Sequence, residues 1–297
     1  MNKKILCLLT SLRNICKDFF NKLFFLWRSL SGYGKFGLIV IFFMLIIALT
    51  SKIFIGDGYR IPSGLSLEAP SIDHIFGTDD LGIDIASQIC YGAAISLVVG
   101  ISAAILAGIG GSILGIFAGY HGKWVDKVIM GLCDISMSIP QLPLMIVLGA
   151  FIGAGIKNII LVIAFMSWVG PARIARSKVL SARNETYIVA AQSYGAGFWH
   201  LLIKHFLPDT LPVIMVSVIR IVSHAIVAEA GLSFLGLGDP TSKSWGVILN
   251  RSINFSGIFF TEYWKWWVTF PLMALILLVA AVAFLGRDME RIVNTKH

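Results

Sequence analysis

The chain has 297 residues, of which 57% are apolar and 13% charged, with a formal net charge of +8. Soluble domains carry roughly a quarter charged residues, so this chain has too little polar surface for water, and lipid must be its solvent. That excludes an ordinary soluble enzyme or binding domain, and it makes the positive balance a matter of membrane orientation rather than nucleic-acid binding.

Residues 4–30 read as one basic amphipathic helix on the inner membrane face. Ile5, Leu9, Leu12, Cys16, Phe20, Leu23, Trp27 and Leu30 recur at helical spacing, with Lys4, Arg13, Lys17 and Arg28 between them. The start imitates a secretory signal, but Arg13 interrupts a short apolar core and no small-residue cleavage site follows. A bilayer crossing needs about 20 mostly apolar residues. Six stretches qualify, near 37–55, 94–119, 128–153, 157–175, 211–232 and 267–286. With the amino end inside, most of the 24 Lys and Arg residues fall in cytoplasmic segments, which places both termini in the cytoplasm. The expected organisation is a cytoplasmic segment 1–36, a first span 37–56, an external loop 57–93, a five-helix core 94–286 with a cytoplasmic loop at 176–210, and a tail 287–297.

Cys7, Cys16, Cys90 and Cys133 form no CxxC pair, and the six His residues do not cluster. No metal site, cofactor or disulfide framework is expected. In the second span Ala103, Ala107, Gly111, Gly115 and Gly119 stand four apart, a small-residue face that admits another helix backbone. The third span holds Pro140 and Pro143, which bend a helix. Asp134, near its cytoplasmic end, either reaches back to the interface or faces a water-filled path.

The loop 176–210 is too polar to cross and too long for a tight turn. Asn184 is suited to cap a helix over Thr186–Tyr194 with Glu185 in the first turn, and Gly195 suits the left-handed stop. Phe198–Phe206 reads as a second short helix, ended by Pro208. Ala190 and Ala191 make a low face between Tyr187 and Tyr194, a shape for another protein's groove. In the fifth span Arg220 and His224 share a face. A cation there either meets a substrate carboxylate or pairs with an acid; Glu229 is roughly opposite and a poor partner. Trp264, Trp266 and Trp267 beside Tyr263 read as a membrane-interface belt, whereas Trp245 and the turn 237–240 are candidates to touch an external partner.

Ala190-Ala191, Gly195 and Leu207-Pro208 resemble the cytoplasmic loop motif of ABC importer permeases, with Val189 at its Glu and His205 at its Ile. The stretch 76–84, Phe-Gly-Thr-Asp-Asp-Leu-Gly-Ile-Asp, resembles the Gly-Thr-Asp-x-x-Gly-Arg-Asp signature of oligopeptide, dipeptide and nickel permeases, with Ile83 at its Arg. Residues 229–238 with Trp245-Gly246 resemble the C-type subunit of those heterodimers. The resemblance covers roughly residues 75–290.

It implies an all-α polytopic protein with six transmembrane helices and the type I ABC importer permease (MetI-like) fold, in a prokaryotic inner or plasma membrane. It also implies a second permease subunit, two cytoplasmic ABC ATPases and an extracellular or periplasmic solute-binding protein as partners. Glu185, Tyr187, Ala190, Ala191, Gly195, His205, Leu207 and Pro208 become the expected ATPase-coupling residues. Arg220, His224 and Asp134 are the candidates for the translocation pathway. Both Gly-Lys pairs, Gly34-Lys35 and Gly122-Lys123, are followed by an aromatic residue, so no phosphate-binding loop is present. With no HExxH or GxSxG either, no catalytic residue is expected, and energy must come from a partner. The expected cargo is an oligopeptide or dipeptide, with a nickel or metal chelate as the alternative. A gradient-driven secondary transporter predicts paired intramembrane acids in matching halves, which the sequence does not show.

Overall fold

The computed structural model describes residues 27–54 and 56–295. Most of the amphipathic segment expected at 4–30, including Cys7 and Cys16, lies outside them. The described chain is helical, with one isolated β-bridge between Thr78 and Asp84. Its helices are α1 (Gly32–Phe54), α2 (Ile85–His121), α3 (Lys123–Ser138), α4 (Gln141–Ile152), α5 (Ile156–Ser167), α6 (Val169–Ala182), α7 (Thr186–Ser193), α8 (Phe198–Leu201), α9 (Leu207–Phe234), α10 (Trp245–Asn254), α11 (Trp264–Trp267) and α12 (Thr269–Asn294). Five apolar runs are long enough to cross a bilayer, and the bent pair α3–α4 makes a sixth if counted as one span.

The third span is not one tilted helix, as the sequence suggested. α3 and α4 meet at 95°. Ile139 is extended, with φ −93° and ψ 130°, because the ring of Pro140 pushes its preceding residue out of the helical region. Nor does Pro208 end a short helix. The run from Phe198 to Phe234 is continuous. A π-helical turn at Leu202–Phe206 precedes α9, and Pro208 falls in the first turn of α9. The wider π turn accommodates a ring and a missing N–H that a regular helix would not.

α2 is the central strut. Its 37 residues reach about 55 Å at 1.5 Å per residue, well beyond a hydrocarbon core of about 30 Å. It begins at Ile85, ahead of the expected 94, because Asp84 caps it by accepting from Ser87 N–H at 2.7 Å. The small-residue ladder lies on α6 as expected. A methyl group on Gly111 or Gly115 would overlap the carbonyl oxygens of Trp168 and Ala172, and on Gly119 it would stand 3.0 Å from that of Arg176. Three carbonyls four residues apart therefore fit three glycines four apart. Ala103 and Ala107 continue the face, both essentially buried. α1 packs on α12, where Gly37 lies under the Ala281 carbonyl. Asp288 of α12 accepts from both the backbone N–H and the hydroxyl of Ser31 at 2.7 Å, so it caps α1 from the other end of the chain. The expected tail 287–297 is helical to Asn294.

Candidate functional site

The loop 176–210 folds into a compact bracket. α7 starts one residue later than a capping Asn184 requires. Glu185 is at the cap position, with no side-chain cap bond, and lies outside the first turn. Ile188 is fully buried among Ile116, Val179, Leu201, Leu202 and Phe206, which ties α7 to α2, α6, α8 and the π turn. Gly195 has φ +84°. Its N–H donates to the Gln192 carbonyl at 2.9 Å, and that of Ala196 donates to the Ala191 carbonyl at 3.0 Å. These are the paired bonds of a glycine-stopped helix.

The Tyr187 hydroxyl donates to Asp209 Oδ2 at 2.8 Å. That hydrogen bond pushes the phenol up to about 12, so it remains a donor throughout the physiological range. Asp209 follows Pro208 in the first turn of α9, and the bond fastens the bracket to the base of that span. His205 stands with its ring centroid 5.7 Å from that of Tyr187. A cleft of about 480 Å³ opens beside it, between Lys178, Glu185, Tyr187, Pro208 and Asp209. The outer face stays open: Glu185, Ala190, Leu207 and Pro208 are exposed and Ala191 is half-buried. Tyr194 is 92% exposed, Trp199 70% and Ile203 59%. Sequence reading missed Ile188, Trp199, Ile203 and Asp209. The signal for Ile188 was an aliphatic residue beside Tyr187 in an otherwise polar loop.

The pathway candidates do not converge. Arg220 forms an ion pair with Glu290 of α12, the pairing reading rather than a free midspan cation. Glu290 lies in the last turns of α12, so the pair joins the middle of α9 to the carboxyl-terminal end of α12. Asp134 pairs with Arg173 of α6. Neighbouring Asp126 receives two hydrogen bonds from Arg176. His224 shares the open face of α9 with Arg220.

The external side is a locked block. Asp79 Oδ1 accepts from Leu81 and Ile83 N–H, both at 2.9 Å, and Oδ2 from Gln88 Nε2 at 2.8 Å. Thr78 Oγ1 donates to the Leu65 carbonyl at 2.6 Å and accepts from Glu68 N–H at 2.8 Å. Gly82, with φ +75°, makes the turn between them. Asp80 pairs with Arg251 of α10 at 2.9 Å. Trp245 is fully buried, donating to the Ile89 carbonyl at 2.9 Å, so it cannot touch an external partner. Trp266 and Trp267 are likewise buried, at 7% and 1% exposure. They are core residues that close α11 onto α1, α2 and α10, and only Trp264 fits an interface belt.

The profile of the family described as "binding-protein-dependent transport system inner membrane component" matches residues 111–295. The chain is 34% identical over 275 residues to the dipeptide transport system permease protein of Bacillus subtilis (strain 168), covering 91% of this chain and 84% of that one. It is 36% identical over 237 residues to the oligopeptide transport system permease protein of the same organism, covering 79% and 76%. It is 35% identical over 230 residues to the glutathione transport system permease protein of Pectobacterium atrosepticum, covering 77% and 75%. With its membrane-length helices and these relatives, the chain belongs to the inner membrane components of binding-protein-dependent transport systems, the permease subunits of ABC importers.

Proposed function

We propose that this chain is one half of the translocation pathway of a peptide importer and that α7 with the segment to Pro208 docks in a groove on a separate ATPase. One observation carries the reading. The bracket is rigid where it meets its own spans, through buried Ile188 and the Tyr187–Asp209 bond, and open where a partner would grip it. A rigid lever passes motion from a closing ATPase pair to α6 and α9, whereas a loose loop would absorb it. Val189 stands where the family motif has Glu, and Glu185 is exposed one turn earlier, in reach of the same partner.

Arg220, His224 and Val227 form an open stripe on α9. A charged stripe is costly against lipid, and facing the second permease subunit across a wet path resolves that cost. Arg220 is then a gate residue shared with Glu290. Peptide is favoured over a metal chelate by the names of the relatives, which concern peptides. Both termini are cytoplasmic in this reading, and a solute-binding protein meets the external block. The test is Ala190→Arg in the assembled transporter. We expect uptake and co-purification of the ATPases to be lost while the chain stays in the membrane; persistence of both defeats the docking claim.

A further inference from the structure

Of the five long spans, α1 and α12 bury the smallest shares of their apolar stretches within the chain, 22% and 28%. Phe36, Ile39, Phe42, Phe43, Ile46 and Leu49 form an exposed apolar stripe along α1, at helical spacing. The stripe gives way to Tyr33, 63% exposed, and there the chemistry changes. The guanidinium carbon of Arg287, on α12, lies 5.6 Å from the ring centroid of Tyr33 and 5.7 Å from that of Phe284. Lys35, two residues on from Tyr33 and so on the opposite flank of α1, has Nζ 5.7 Å from the ring centroid of Trp27. Arg28, beside Trp27, is exposed.

The acids at this end are already engaged. Asp288 accepts twice from Ser31, and Glu290 pairs with Arg220. Arg291 donates to the Ser29 carbonyl at 3.0 Å and stands 3.8 Å from Asp288. Arg28, Lys35 and Arg287 make no ion pair among the described residues. Water alone could satisfy an exposed cation. What singles out a lipid surface is the order along the helices: apolar stripe, aromatic rings, then cations. A bilayer passes from hydrocarbon to interface to headgroup in that same order. A guanidinium supported on ring faces keeps its N–H edge outward, where it pairs with a phosphate through two parallel bonds. An anionic headgroup adds a net negative charge that a zwitterionic one lacks. We propose that Arg28, Lys35 and Arg287, with Trp27, Tyr33 and Phe284, form a collar that binds anionic phospholipid headgroups around the paired ends of α1 and α12.

The packing beneath the collar keeps its two halves level. Asp288 caps α1 through Ser31, and a methyl group on Gly34 would overlap that carboxylate. The start of α1 is therefore fixed against the end of α12, and the cations of both helices meet the lipid at one depth. A headgroup bridging Lys35 or Arg28 on α1 and Arg287 on α12 would hold the least buried span to the rest of the chain. In the orientation proposed above this is the inner leaflet. The inference needs only that α1 and α12 border lipid, and it does not rest on the cargo or on the docking of an ATPase.

The experiment places the assembled transporter in vesicles of an equal mixture of phosphatidylcholine and phosphatidylglycerol. The complex is then extracted gently, and its retained lipids are identified by native mass spectrometry. Wild type is expected to retain phosphatidylglycerol in preference to phosphatidylcholine. The double variant Lys35→Gln, Arg287→Gln should lose that preference by roughly fivefold for each charge removed. The double variant Lys35→Arg, Arg287→Lys keeps both charges and should keep the preference. Equal preference in wild type and the Gln double variant overturns the proposal. So does a charge-keeping variant that loses as much as the Gln variant, which would mark a packing role. So does Phe36→Cys forming cross-links to the second permease subunit, which would show protein covering this face. If the Gln double variant fails to assemble, Arg287→Gln alone decides by the same comparison. Lipid retention is read without transport, so a failure here is distinct from a failure of the importer reading.

Discussion

The two ends of the molecule are built on opposite plans. The external block, around residues 57–84 and 235–263, is knitted by side chains into its own backbone. Asp79 alone satisfies three donors, and Trp245 and Trp267 are sealed inside. The bracket is anchored through Ile188, Leu201, Leu202 and Phe206, all buried, and tethered by Tyr187 to Asp209, while Tyr187, Tyr194 and Trp199 stand in the open. A surface meant to hold shape satisfies its polar groups internally. Apolar side chains stand uncovered at both ends, Tyr194 and Trp199 in the bracket and Ile72 and Phe260 in the block, so the difference lies in how the polar groups are satisfied. Under the proposed docking, the block is a fixed lid and the bracket a handle.

Four substitutions probe that contrast, from the largest effect to the smallest. Gly115→Leu should strike both ends together, because α2 links them and the new side chain would overlap the Ala172 carbonyl. The expected result is loss of folded protein from the membrane, since overpacking against backbone has no cheap relaxation; normal expression and a normal melting curve would show that α2 and α6 have room to separate. Asp79→Ala should act only outside. Three donors lose their acceptor, and at about 1–3 kcal/mol for each group left unsatisfied the thermal midpoint should fall markedly, with ATPase co-purification unchanged in whatever protein remains folded. An unshifted midpoint would mean that water replaces the carboxylate freely.

Gly195→Pro should act only inside. Proline cannot adopt φ +84°, and its missing N–H would break the bond to Gln192. Uptake should fall by roughly tenfold or more, with stability lowered by about 1–3 kcal/mol or less. Equal damage to stability and uptake would erase the distinction between lid and handle. Tyr187→Phe removes only the hydroxyl, worth about 1.5–3 kcal/mol at most for a bond to a charged acceptor and less at a half-open site. A few-fold loss of uptake with intact ATPase binding would show that the tether transmits motion rather than holding the partner.

Much of this was legible in local pattern. Span-length apolar runs, the ladder from Ala103 to Gly119 and the stop at Gly195 each follow from spacing or from one residue's backbone freedom. The Gly-Thr-Asp stretch marked the external signature, though not that Asp79 and Thr78 are its internal staples. The misreadings share a cause. Trp245, Trp266 and Trp267 were placed at surfaces because an aromatic at a span end is ordinarily an interface residue, and nothing local says that α10 folds back to bury them. Glu290 went unnamed as the partner of Arg220 because the sequence does not give the offset between α9 and α12 that brings the two together.

The sequence by itself determined that this chain lives in lipid, that a polar segment separates its fourth and fifth spans, and which helix face admits a neighbour. Those follow from composition and from periods of three to four residues, which need no knowledge of distant partners. Only the tertiary structure decided that Pro140 breaks its span while Pro208 does not, that Asp288 caps α1, and that Arg220 finds Glu290. Each of these depends on which groups arrive from far along the chain, and that is set by how the helices pack.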